Sequence, residues 1–154
     1  MSKTGPFIII DANKKEQLLY QIAFQNLKLN NPVIFFEDGK EALDYLISEK
    51  ETPCMIICDI NIPQIHGMDL RHQIAANPDL KRKSIPFVFI SSSPTIANIK
   101  EAYDLPVQGF FKKTDSAAGL ERILALLIEY WTECIGAHII HQSKSHSKMQ
   151  SSFR

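Results

Sequence analysis

The chain has 154 residues, a length typical of one globular domain. Its 17 Lys and Arg equal its 17 Asp and Glu, so it lacks the excess of cations that gives nucleic-acid-binding proteins most of their affinity. No apolar run approaches the roughly 20 residues of a membrane-spanning helix, and three cysteines do not make a disulfide scaffold. We therefore expect neither a nucleic-acid nor a membrane partner, and a reducing, cytoplasmic setting.

Short apolar runs alternate along the chain with longer amphipathic segments. Five of these runs predict β-strands: Phe7–Ile10, Val33–Phe36, Met55–Cys58, Pro86–Ile90 and Val107–Phe111. These runs are apolar on both faces of a strand, so helices must cover both faces of the sheet. The pattern predicts a three-layer α/β domain with a five-stranded parallel sheet.

The segments between the strands have helical spacing of apolar residues. Helices are predicted over Lys14–Leu29, Lys40–Ser48, Gly67–Ala76, Ser93–Asp104 and a long segment capped by Asp115 and Ser116. The inward positions are expected at Leu18, Leu19, Ile22, Ala23 and Leu27 in the first helix, and at Ala42, Leu43, Leu46 and Ile47 in the second. Residues 77–84 read as a connection without an apolar stripe. We expect the domain to cover residues 5–134, followed by a polar, basic, His- and Ser-rich extension over 135–154.

Polar residues stand where the predicted strands end. Asp11 follows the first strand, Asp59 the third and Ser91 the fourth, and the fifth leads into Lys112 and Lys113. The carboxyl ends of parallel strands meet at one edge of the sheet, where open α/β sheets place their chemistry. Two carboxylates and a carbonyl suit Mg²⁺, one carboxylate can act as a nucleophile, and a hydroxyl and an ammonium can hold phosphoryl oxygens.

Four segments resemble segments of one known family, and they occur along the chain in the same order as in that family. The segment Cys58–Met68 resembles its Asp-x-Asn-x-Pro-x-x-x-Gly motif, and Gly109–Lys113 resembles its Gly-aromatic-x-x-Lys motif. Phe36–Leu43 and Ile85–Ser92 resemble the segments around its second and fourth strands. The chain is thus similar to the response regulator receiver domain of two-component signalling. The longer connection before the fourth strand is similar to that of single-domain regulators paired with phytochrome-type histidine kinases.

The resemblance implies a flavodoxin-like strand order, 2-1-3-4-5, and a role for each residue at the sheet edge. Asp59 would be the phosphoacceptor, and Ser91 and Lys113 would contact the phosphoryl group. Phe110 would turn inward when Ser91 moves. Mg²⁺ would be held by Asp11, Asp59 and the backbone carbonyl of Asn61.

The resemblance also implies a function and its partners. The chain would not be an enzyme but a stand-alone receiver in a phosphorelay. It would accept a phosphoryl group from a histidine kinase or a phosphotransfer protein. Its output would be a protein partner or a homodimer, docked on the face formed by the predicted fourth helix, fifth strand and last helix.

The sequence departs from the family pattern at the metal site. Ala12 stands where the family usually has a second acidic residue, so we expect weak Mg²⁺ binding. Thr114 replaces a proline that usually follows the lysine through a cis bond; a non-proline cis bond is costly, so the bond here can be trans, and the sequence leaves both the bond and the direction of Lys113 open. Ala12 leaves an alternative open, namely a pseudo-receiver that binds partners without phosphate.

Two enzymatic alternatives fit the residues less well. An aspartate-nucleophile phosphohydrolase needs an acid two residues after its nucleophile, and Asn61 stands there. A flavin-binding domain of the same topology needs a glycine- and hydroxyl-rich loop after the first strand, and residues 12–15 do not provide one.

Overall fold

Strands and helices alternate along the computed structural model, which describes residues 2–135. The elements are β1 (Phe7–Ile10), α1 (Lys14–Leu27), β2 (Val33–Phe36), α2 (Gly39–Ser48), β3 (Met55–Asp59), α3 (Gly67–Ala76), α4 (Pro78–Lys83), β4 (Phe87–Ser91), α5 (Ile96–Asp104), β5 (Gly109–Lys112) and α6 (Ala117–Glu133). All but Ile135 of the predicted extension lies outside the described residues. None of the helices within 2–135 is long and apolar enough to cross a membrane.

The five strands form one parallel sheet in the order β2-β1-β3-β4-β5, which confirms the predicted topology. Ile10 lies beside Cys58, and Asp59 lies beside Ile90. Ser91 in turn lies beside Lys112. This register brings the carboxyl ends of β1, β3, β4 and β5 to the same edge of the sheet.

Each face of the sheet carries its own apolar core, because successive strand residues point to opposite faces. Ile8, Ile10, Ile56 and Cys58 belong to the core under α2, α3, α4 and α5. Phe7, Ile9 and Ile57 belong to the core under α1 and α6. The predicted three-layer α/β architecture is therefore confirmed.

The inward face of α1 matches the prediction at Leu19, Ala23 and Leu27 and differs from it elsewhere. Leu18 and Ile22 are 55% and 38% exposed, whereas Gln17, Tyr20 and Phe24 are buried. The Phe24 ring packs 5.1 Å from that of Phe7, and Gln17 bonds to backbone at the sheet edge, so these contacts set the rotation of the helix.

In α2 the prediction is confirmed for Ala42 and Leu46, which are buried, and for Leu43, which packs against the same core; only Ile47 is exposed. The partly buried Tyr45 packs against this core as well, a position that counting aliphatic residues did not give.

The connection over residues 77–84 contains a helix that the sequence pattern did not predict. Asn77 Oδ1 accepts hydrogen bonds from the backbone N–H groups of Asp79 and Leu80, at 3.0 and 3.1 Å. Pro78 occupies the first helical position, where its missing N–H is not needed. Only Leu80 of this short helix is buried, so it has no apolar stripe to detect.

The loop between α5 and β5 is attached to α3 through Arg71. Arg71 Nε and Nη2 donate to the carbonyl of Pro106 at 3.0 and 2.6 Å, and the Arg71 guanidinium lies 5.3 Å from the centre of the Phe87 ring.

The start of β5 and the peptide bonds can be compared with the sequence. β5 begins at Gly109, two residues later than predicted. The peptide bonds of the described chain are all trans, including that before Thr114.

Candidate functional site

Three charged side chains meet at the carboxyl edge of the sheet. Lys113 Nζ lies 2.7 Å from Asp11 Oδ2 and 3.0 Å from Asp59 Oδ2. The side chains of Lys113, Asp11 and Asp59 are 8%, 2% and 14% exposed. The two distances limit the separation of the carboxylate oxygens to 5.7 Å. One ammonium thus bridges two carboxylates that come from different strands.

The strand that precedes Lys113 determines the direction of its side chain. Its backbone N–H donates to the carbonyl of Ser91 at 2.8 Å, which extends the β4–β5 pairing by one residue. Phe111 packs in the core under α1 and α6, and Lys113, two residues later, points to the same side. Lys112 points the other way and is exposed.

The two carboxylates change the ionisation of this lysine. Burial by itself lowers the pKa of the Lys113 ammonium, but the hydrogen bonds and charges of Asp11 and Asp59 outweigh it. The pKa is therefore raised above its ordinary value of 10.5, and the ammonium is charged at neutral pH.

Asp11 is fixed through both its backbone and its side chain. Its N–H donates to the Phe36 carbonyl at 3.0 Å, and its own carbonyl accepts from Gln17 Nε2 at 2.7 Å. Oδ1 accepts from the N–H of Asn13 at 2.9 Å, which leaves Oδ2 for Lys113. Asp11 is therefore a rigid, buried negative charge.

Asp59 is held more loosely and is more accessible. Oδ1 accepts from the N–H of Asn61 at 3.3 Å, and Oδ2 accepts from Lys113. The turn after Asp59 packs closely against the start of α3, where a Cβ on Gly67 would lie 2.7 Å from the Asp59 carbonyl oxygen. Only glycine allows this approach, which fixes the backbone that carries the carboxylate.

The donors for a divalent cation are two carboxylates rather than three. Ala12 offers no side-chain oxygen. Asn13 does not replace it, because its Oδ1 accepts from the N–H groups of Lys15 and Glu16 as the N-cap of α1. No group of three or more Cys, His, Asp or Glu within residues 2–135 is placed to hold a metal. The oxygens of Asp11 and Asp59 and the Asn61 carbonyl still have the hard character that Mg²⁺ prefers.

Ser91 and Phe110 lie beside the charged cluster without joining it. The Ser91 hydroxyl is buried and accepts from the N–H of Ser93 at 3.3 Å, and it makes no hydrogen bond to Asp59 or to the Lys113 ammonium. Phe110 is partly buried, with its ring 6.2 Å from that of Phe89. Among the predicted residues, the structure thus brings Asp11, Asp59 and Lys113 into direct contact.

Two polar residues at the site come from a helix and were missed in the sequence. Gln17 supports Asp11, as described above. Burial raises the pKa of the Glu16 carboxyl; the charge of Lys113 lowers it, and the charges of Asp11 and Asp59 raise it again. Glu16 therefore lies within electrostatic range of the cluster. The sequence could have indicated Glu16 by its position in the first turn of α1, a helix that starts at the carboxyl edge of the sheet.

The fold and the site together define the class of the chain: a doubly wound α/β domain with two carboxylates and a lysine at the carboxyl edge of its parallel sheet. Residues 7–125 match the sequence model of the response regulator receiver domain, and the chain belongs to this family.

Several relatives match this chain over most of their own length. The probable methanogenesis regulatory protein FilR2 of Methanothrix harundinacea is 30% identical, in a match that covers 82% of this chain and 84% of that protein. Response regulator Rcp1 of Synechocystis is 25% identical over 83% of this chain and 89% of its own length. The crystal structure of the phosphorylated cyanobacterial phytochrome response regulator RcpA superimposes with a TM-score of 0.75 and 29% identity, covering 85% of this chain and 96% of RcpA. A structure of Rcp1 has been determined with Mn²⁺ bound.

Proposed function

We propose that this chain is a stand-alone cytoplasmic receiver that accepts a phosphoryl group on Asp59 from a histidine kinase or a phosphotransfer protein. The observation that carries the proposal is the difference between the two bridged carboxylates. Asp59 is 14% exposed and can be approached, whereas Asp11 is 2% exposed and anchored on both sides. All three cysteines are free thiols, in keeping with a reducing compartment.

The transfer is a nucleophilic substitution at phosphorus. A carboxylate oxygen of Asp59 forms the new P–O bond, the P–N bond to the donor imidazole breaks, and its electron pair stays on the ring nitrogen. Lys113 is already within hydrogen-bonding distance of Asp59 and would follow the added negative charge. The chain is consumed as an acceptor in this step and does not turn over a substrate.

Asp11, Asp59 and the Asn61 carbonyl would hold Mg²⁺, which when bound offsets the negative charge of the phosphoryl oxygens. We propose that its affinity is low. With Ala12 in place of an acid, two carboxylates remain, and the Lys113 ammonium already neutralises one of their charges. Restoring an acid with Ala12→Asp should tighten Mg²⁺ binding, as measured by calorimetric titration.

The proposed output is a change in partner binding on the face formed by α5, β5 and α6. Phosphoryl oxygens on Asp59 would attract the Ser91 hydroxyl, and Phe110 would move into the space that it leaves. α5 presents Ile96, Ile99 and Tyr103 to solvent at helical spacing and buries only Ala102. An apolar helix face of this kind suits a protein partner or a second copy of the chain.

A second candidate is a pseudo-receiver that binds partners without being phosphorylated. It is favoured by Ala12 and by the Lys113 bridge, which balances much of the site's charge without a metal ion. In that case the same face would bind its partner constitutively.

The test is the intact mass of the full chain after incubation with acetyl phosphate and Mg²⁺, and separately with a phosphorylated histidine kinase. One phosphoryl adduct that is absent in Asp59→Asn supports the receiver. Asp38→Asn is a matched control, because Asp38 caps α2 and should not affect the adduct. No adduct with either donor supports the pseudo-receiver.

A further inference from the structure

One edge of the sheet has an open side. Among residues 2–135, β2 pairs with β1 alone, so its other side has no neighbouring strand there. On the paired side, the Phe36 carbonyl accepts from the N–H of Asp11 at 3.0 Å. Alternate residues of a strand turn their backbone groups to opposite sides. The N–H and C=O groups of Val33 and Phe35 therefore point away from β1, to the open side.

This edge lacks the side chains by which proteins usually protect an exposed strand. Charged residues, especially lysine, and proline within the strand prevent an edge from pairing with another chain. All four residues of β2 are apolar, and all four are partly exposed. Residues 29–36 carry no charge. The opposite edge strand, β5, differs because it carries the exposed Lys112.

A cleft beside the open edge has room for the side chains of a further strand. Its volume is about 380 Å³, and it is lined by residues of α1 and β2, among them Phe24, Val33 and Phe35. Val33 and Phe35 pack on the side of the sheet that α1 covers. An added strand would point every second side chain to this same side, into the cleft.

We propose that β2 pairs in antiparallel orientation with β2 of a second copy of the chain, which joins the two sheets into one. With Ile34 on the two-fold axis, Val33 lies opposite Phe35 of the second copy, and each such pair exchanges two hydrogen bonds. An aromatic and a β-branched side chain then meet across the strands, which is a favourable combination.

The second copy is the occupant that the strand itself favours. Because residues 29–36 are uncharged, the strand opposes no like charges when it meets itself, and it offers a charged partner no counter-charge. This interface lies on β2, at the other end of the strand order from the face formed by α5, β5 and α6. The proposal does not depend on that face or on phosphorylation of Asp59.

The first test removes one outward N–H group. Val33 is the first residue of an edge strand, a place where a folded domain tolerates proline. In Val33→Pro, a ring replaces the N–H that donates to the second copy. The matched control is Val33→Ala, which also shortens the side chain but keeps the N–H. Ile99→Ser is a second control, because it alters the exposed apolar face of α5. The unphosphorylated full chain and the variants would be compared by sedimentation velocity over a range of protein concentrations.

Amide hydrogen exchange of the unmodified chain tests the pairing residue by residue and needs no variant. The N–H groups of Ile34 and Phe36 point to β1 and should be protected at every concentration. Those of Val33 and Phe35 gain a partner only in the dimer. When about nine-tenths of the chains are paired, they should exchange about tenfold more slowly than in dilute solution, because exchange then proceeds through the monomeric remainder.

We expect a concentration-dependent dimer for the unmodified chain, for Val33→Ala and for Ile99→Ser, and a monomer for Val33→Pro. A chain that is monomeric at all concentrations would overturn the proposal. A dimer that persists in Val33→Pro, or that is lost equally in both Val33 variants, would overturn it as well. Protection of Val33 and Phe35 that does not change with concentration would also refute it, because a segment of the same chain would then cover the edge.

Discussion

Replacing Lys113 with methionine tests whether its ammonium is the counter-charge of the site. Methionine keeps much of the apolar stem but leaves Asp11 and Asp59 without a cation. Their nearest oxygens lie at most 5.7 Å apart, as the two Lys113 distances require. At an effective dielectric constant of about 20, two charges at that distance repel by about 3 kcal/mol. Breaking a buried ion pair by removing one partner destabilises proteins by a similar amount, about 3–5 kcal/mol.

We therefore expect Lys113→Met to lower the free energy of unfolding at pH 7 by about 3 kcal/mol, measured by urea denaturation. The matched control is Lys112→Met, which removes an exposed lysine from the adjacent position and should change stability by no more than about 0.5 kcal/mol. Mg²⁺ should stabilise the Lys113 variant more than the unmodified chain, because the cation can take the place of the ammonium. Equal unfolding free energies for the two variants would refute the reasoning.

The pH dependence of the same difference follows from the raised pKa of Lys113. A raised pKa in the folded state means that the ammonium's contribution is complete at neutral pH and is lost as the pH rises above about 10.5. Denaturation curves at neutral and alkaline pH should therefore show the larger difference between the two variants at neutral pH.

Three further substitutions test the supports of the site and of the fold. Gly67→Ala places a Cβ 2.7 Å from the Asp59 carbonyl oxygen, so it should lower both the thermal midpoint and the yield of phosphoryl adduct. Asn13→Ala removes the cap of α1 and should reduce the unfolding free energy by about 1 kcal/mol; a neutral result would contradict the capping geometry. Arg71→Met leaves the Pro106 carbonyl without its donor and should be destabilising by about 1–3 kcal/mol in urea, whereas no change would mean that the guanidinium is not the link between α3 and the loop before β5.

The fold was largely predictable because its strands are apolar on both faces. A run such as Phe7–Ile10 has few alternatives to a central strand, and helices of ten or more residues leave room for recognisable periodicity. α4 escaped prediction because six residues with one buried leucine carry no periodic signal, although Asn77-Pro78 is a typical helix start. Leu18 and Ile22 of α1 were wrongly predicted to face inward, because Gln17 takes an inward position to donate to a backbone carbonyl, which a count of apolar residues does not show.

The site was predictable as far as it depends on where strands end. Parallel register is enough to bring the ends of β1, β3 and β5 together, and with them Asp11, Asp59 and Lys113. No pattern in the sequence shows that the Lys113 ammonium bridges both carboxylates, or that the Asn13 side chain caps α1. These features depend on side-chain positions across long sequence separations. The roles of Asp59, Lys113, Ser91 and Phe110 in phosphorylation stay predictions, as does the metal site.

Because Lys113 bridges two carboxylates from earlier strands, the site can be completed only after the last strand of the sheet has been synthesised. Asp11 and Asp59 lie 102 and 54 residues before their shared lysine, so both carboxylates leave the ribosome well ahead of it. Closing chain segments of this length costs entropy, so pairing across them is slow. Until β5 docks against β4, the two negative charges at the sheet edge have no lysine between them. The charged site is thus completed only when nearly the whole sheet is assembled.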